Sequence, residues 1–158
     1  MFKNFSVLIT AMFLATQLHA APTVAATKNE PIVVKLENFK VSINTEGKEV
    51  LSDAKNAKPG EVLEYRATYT NVSTKPISNL VATLPVPKDT AYQAQTAKPM
   101  AGAEATIDSV TFAPVPLMSA DKKQPISPKE YRALRWKVST LKAKEAVVVS
   151  IRIKVNQE

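Results

Sequence analysis

The tightest constraint on this chain is a two-residue rhythm in two neighbouring runs, Leu63 to Thr70 and Leu80 to Leu84. In the first, Leu63, Tyr65, Ala67 and Tyr69 fall on one side and Glu64, Arg66, Thr68 and Thr70 on the other, because successive side chains of a strand point to opposite faces. Pro59-Gly60 turns the chain into that run, and the polar stretch Asn71 to Asn79 turns it out. Leu80, Ala82 and Leu84 then share a face until Pro85 and Pro87, which lack the N–H a ladder requires, stop the pairing. The unit reads as two antiparallel strands of a sandwich.

The chain has 158 residues, room for one domain that hides about two-thirds of its unfolded surface. Residues 1–20 read as a secretory signal peptide: Lys3 gives the positive start, Val7 to Leu14 the apolar stretch, and Leu18-His19-Ala20 a cleavage signal before Ala21. A membrane anchor is the competing reading. Thr10, Thr16 and Gln17 interrupt the apolar stretch and leave it short of the ~20 residues a spanning helix needs. No integral membrane segment is therefore expected after cleavage, and the expected location is periplasmic or secreted.

Cleavage would remove Lys3 and the single His of the chain, His19, leaving one base fewer than the 21 of the full sequence against 14 acids, and there is no Cys. Imidazole and thiolate are the usual ligands of zinc and copper and the usual bases and nucleophiles near neutral pH. A chain without them is expected to be no enzyme and to hold no metal or other cofactor. Without disulfides, its stability has to come from the apolar core.

Residues 21–30 are small and polar, a flexible mature N-terminus, and residues 31–158 form the domain. Ile32, Val33, Val34, Leu36, Phe39, Val41 and Ile43 predict a first strand with a kink or bulge near Glu37-Asn38. Asn44 to Gly47 is a turn, Glu49 to Leu51 a short edge strand, and Ser52 to Lys58 a loop rather than a helical turn. Asp89 to Tyr92 is a short strand and residues 94–104 an exposed loop. Thr106 to Phe112 reads as a strand with Val110 and Phe112 on one face and Ile107 on the other. Pro114, Pro116, Pro125 and Pro128 leave Ala113 to Lys129 as an irregular loop, functional or mobile. Leu134, Trp136 and Val138, and then Val147 to Val155, alternate as two strands joined at Leu141 to Glu145. About seven strands and no helix longer than a turn predict an all-β, immunoglobulin-like antiparallel β-sandwich. Trp136 and Tyr65 belong to its core, each ring contributing about 2 to 3 kcal/mol by burial.

Lys58-Pro59-Gly60, Val62, Tyr65, Tyr69-Thr70-Asn71, Asn79-Leu80-Val81, Thr83-Leu84-Pro85 and Leu134-Arg135-Trp136, followed by an alternating final strand, together resemble the conserved-repeat family of bacterial surface proteins known as domain of unknown function eleven. The likeness covers about residues 31–155. It implies an immunoglobulin-like structural or adhesive module with no active site to carry over, in which Pro59-Gly60 and Asn71 turn the chain, Pro85 ends a strand and Trp136 fills the core. Ala82 stands where many members carry Asp, and Lys144-Glu145 where Gly is common.

Other chemistry is thinly supported. Asp108, Asp121 and Glu130 stand alone, without the alternate-position spacing of a calcium loop. Met100 and Met118 read as gap fillers rather than a thioether copper site. Ser119 or Ser127 beside Lys122, Lys123 or Lys129 lacks the strained elbow of a Ser-Lys nucleophile, and Asn71-Val72-Ser73, a glycosylation acceptor pattern, is accounted for by its turn role. The basic excess is more telling. Lys122, Lys123, Lys129, Arg132, Lys142 and Lys144 crowd one stretch, with Arg135 and Lys137 between them, and form a candidate patch for an anionic envelope polymer or lipid headgroups. Outward charges that keep strands soluble and guard sheet edges are the plainer explanation. Nucleic acid is not expected, since no aromatic stripe interleaves the lysines. The expected function is an exported, non-enzymatic structural or interaction module of the bacterial envelope or surface, with protein or anionic polymer as partner. The alternative is a subunit or strand-donating partner of a secreted or outer-membrane assembly, its long C-terminal strand adding to another sheet's edge.

Overall fold

The computed structural model describes residues 30–157. The signal peptide expected over 1–20, and the N-terminal segment up to residue 29, lie outside the described residues. The strands are β1 (Ile32–Ile43), β2 (Glu49–Asp53), β3 (Val62–Asn71), β4 (Ile77–Pro85), β5 (Thr90–Tyr92), β6 (Glu104–Thr106), β7 (Ala113–Pro114), β8 (Ala133–Leu141) and β9 (Ala146–Val155), with one 3-10 turn at Pro128–Glu130. They form two antiparallel sheets, ordered β2-β1-β3-β9-β5 and β4-β8-β6-β7. The molecule is an all-β sandwich.

The alternation of β3 sets the core. Leu63, Ala67 and Tyr69 point into the sandwich and pair across with Ile153, Val149 and Val147 of β9. Directly paired residues share a face. From the opposite sheet Ala82 and Leu84 of β4 and Leu134 and Trp136 of β8 meet them, all buried. Tyr65 is only partly buried. On the outer face of β3, Glu64 is nonetheless 4% exposed, because Arg66 pairs with it and Arg152 lies 3.9 Å away.

Four local expectations are corrected. β1 runs from Ile32 to Lys40 opposite β3 in one unbroken register, so no bulge interrupts Glu37-Asn38. Thr106 ends a strand instead of starting one: Asp108 Oδ1 accepts the N–H groups of Val110 and Thr111 at 2.8 and 2.7 Å, a side-chain turn that outcompetes the ladder. Val110 is left 80% exposed. Residues 94–104 are not simply an exposed loop, since Lys98 bridges to Ser150 of β9 and Ala97 and Ala103 are buried in the core. The proline-rich stretch is folded as well. Pro114 sits in the edge strand β7, where a missing N–H costs least, and Met118 bridges Pro125 across a hairpin-like ladder.

Candidate functional site

The six basic residues of the candidate patch do not converge. Lys122 and Lys123 lie in the turn between Met118 and Pro125. Lys129 is within the 3-10 turn and Arg132 follows it, whereas Lys142 and Lys144 occupy the β8–β9 turn. The whole of β8 separates Arg132 from Lys142, roughly 30 Å at ~3.3 Å per residue. Two of the remaining bases are already engaged, Arg135 and Lys137 both donating to Glu104 at 2.7 and 2.8 Å.

The two serines considered as nucleophiles have turn roles. Ser119 Oγ donates to Asp121, and Ser127 caps the 3-10 turn by accepting from the N–H of Lys129. Asp108 and Asp121 are likewise turn acceptors, which holds both carboxyls below the usual range, chiefly through the Val110 N–H and the Ser119 hydroxyl respectively. Among the described residues no group of three or more His, Cys, Asp or Glu gathers, and no helix is long and apolar enough to cross a membrane.

Two other features stand out. The first is a cleft of about 350 Å³ beside β5. Its floor is Tyr92 of β5 stacked on Tyr131, ring centres 5.5 Å apart and 13° from parallel. Met100 from the β5–β6 loop, Pro116 after β7, and Pro125-Ile126 before the 3-10 turn form its walls. Both phenol oxygens accept backbone N–H groups, Tyr131 from Leu117 at 2.7 Å and Tyr92 from Ala97 at 3.3 Å, and burial pushes the Tyr131 phenol above its ordinary value. The proline signal was visible in the sequence; the tyrosines were not, because they come from segments on either side of it. Chemically the cleft offers apolar surface, with Gln95 and Ser127 as its polar rim.

The second feature is the β1–β2 ribbon. No residue of β1 or β2 is fully buried, although the segment is rich in Val, Leu and Ile. Val34 and Leu36 pair with Tyr69 and Ala67 and so face the inner side, yet they are 47% and 53% exposed. The second sheet stops short of them. Val33, Ile43 and Leu51, on the other face, are exposed too. The ribbon is thus a wing that exposes apolar side chains on both faces, interspersed with charged and polar ones, while Phe39 to Ser42 are half-buried.

No family model matches this sequence, and no curated protein and no solved structure matches it.

Proposed function

We propose that this protein is an exported, non-enzymatic interaction module of the bacterial envelope, related to the immunoglobulin-like surface repeats it resembles, and that the β1–β2 wing is where it meets a partner protein. The observation that carries this reading is the wing itself. It exposes Val33, Val34, Leu36, Ile43, Val50 and Leu51 on one pair of strands, and exposed apolar side chains gathered in one region of a globular protein support an interaction surface there. β2 is also an edge of its sheet, with its outer backbone groups open to an added strand.

The strand-donating alternative changes shape. β9 is paired on one side with β3 and on the other with β5, and its Val149, Ile151 and Ile153 are core, so the C-terminal strand is integral. An assembly contact through strand addition would then use an open sheet edge as acceptor, and β2, the edge that belongs to the exposed ribbon, is the one this reading assigns.

Site-specific photo-crosslinking in intact cells tests the reading. A photoreactive phenylalanine analogue in place of Leu36 is expected to give a crosslink to one defined envelope protein, and the same analogue in place of Lys123 to give none. Crosslinks to the chain itself only, or none from Leu36, overturn it.

A further inference from the structure

We infer that the Tyr92–Tyr131 cleft is a binding site for a small anionic amphiphile, a molecule with one apolar body and one carboxylate or phosphate head. This goes beyond the wing, which lies at the opposite edge of the five-stranded sheet from β5.

Size comes first. At about 350 Å³ the cleft falls at the small end of the ~300 to 1,000 Å³ typical of small-molecule sites, suited to a single chain or ring system. Its walls come next. Met100, Pro116, Pro125, Ile126 and the ring of Tyr131 reward burial of an apolar body and offer no charge to pair with. The tyrosine oxygens are turned to the backbone N–H groups of Leu117 and Ala97.

The position of the charge completes the argument. Tyr92, Ala94, Ser127 and Pro128 line the cleft and also a second, more polar groove that opens beside it. Lys129 and Lys154 stand in that groove, with Thr90, Gln93, Asn156 and Gln157 as neutral neighbours, and among the described residues no carboxylate lines either hollow. A body seated in the cleft would place a negative head among two ammonium groups. Among the described lining residues a cationic head would meet only like charge, and a bare anion would gain nothing from the apolar walls. Lys129 is thus the one member of the sequence-derived basic set that this site uses.

Isothermal titration calorimetry on the purified exported chain tests the inference, with dodecyl phosphate, dodecyltrimethylammonium and inorganic phosphate each below any micelle threshold. The expected result is one dodecyl phosphate per chain, at least tenfold tighter than either other probe. Met100→Glu puts a carboxylate into an exposed part of the wall and should weaken dodecyl phosphate at least tenfold. The double variant Lys129→Glu/Lys154→Glu should do the same while leaving the affinity for 1-decanol unchanged. Thermal melts of each variant establish that the fold is retained, and the lysine pair, both exposed, serves if Met100→Glu disturbs it. Equal binding of the anionic and cationic probes, or preference for a proline-rich decapeptide, overturns the inference. So does binding to phosphatidylglycerol vesicles that survives Met100→Glu with no uptake of monomeric dodecyl phosphate.

Discussion

At Asn71 a single side chain holds together turns from both sheets. It is fully buried at the end of β3. Its Nδ2 lies 2.8, 3.1 and 3.0 Å from the carbonyls of Lys75, Leu141 and Lys142, so two protons are shared among three acceptors. Its Oδ1 accepts the N–H and the hydroxyl of Ser73. The β3–β4 turn and the β8–β9 turn are thereby tied to one amide. Asn71→Ala leaves buried carbonyls unpaired and should cost about 2 kcal/mol, read from the urea midpoint. Asn71→Asp should cost more, since it sets a carboxylate against those carbonyls with no donor left. A loss below a few tenths of a kcal/mol in both would mean that water replaces the amide. The turn role of Asn71 was legible in the sequence, because Asn favours turns for local reasons. The clip was not, since two of its partners lie 70 and 71 residues away. Asp108 teaches the converse: apolar residues around it suggested a strand, and a purely local set of side-chain hydrogen bonds overrode the pattern.

Among the elements, β4 is an edge strand of nine residues, and long open edges invite pairing with other chains. Part of that edge is plugged from the other sheet. The Tyr69 hydroxyl donates to the Thr83 carbonyl at 2.8 Å and accepts the Thr83 N–H at 2.9 Å, occupying both backbone groups a foreign strand would need there. Tyr69→Phe keeps the ring and removes the plug. The expected outcome is a loss of about 1 to 2 kcal/mol, faster hydrogen exchange at the Thr83 amide, and a rise in concentration-dependent association. Unchanged exchange at Thr83 would show that the plug does not protect the edge. The period-two pattern made strand identity readable for β3, β4, β8 and β9. It could not say which strands lie at edges, because edge position depends on pairings between distant segments. For β1 it was misleading in a specific way: apolar residues on both faces suggested a bulge near Glu37-Asn38, whereas the strand keeps one register and leaves Val33, Val34 and Leu36 exposed.

For the molecule as a whole, charge sets the range of pH over which the sandwich is stable. Glu104 is held below the usual carboxylate range first by Lys137 and then by Arg135, Glu49 by Arg152 and Glu61 by Lys40. Each pair joins segments well separated in sequence. A carboxyl whose folded pKa is depressed contributes stability that is present above its unfolded value, about 4.3 for Glu, and is lost as pH falls through the folded value. The Tyr131 phenol works in the opposite direction. Burial raises its pKa, so its contribution is complete below about 10 and is lost as pH rises through the higher folded value. Because no His lies among the described residues, their side chains give no titration centred between these limits. The urea midpoint should thus stay level from about pH 5.5 to 9 and fall on both sides. Glu104→Gln should flatten the acid limb and leave the alkaline limb alone, while Tyr131→Phe should shift the alkaline limb and spare the acid one. Because the carboxylate pairs lie at or near the surface, raising the salt to 1 M shortens the screening length to about 3 Å and should shrink the acid limb further. The alkaline limb, which comes from desolvation of a buried ring, should keep its size. A midpoint that moves between pH 6 and 8, or salt that alters both limbs equally, would contradict this assignment of the two limbs to surface pairs and one buried phenol.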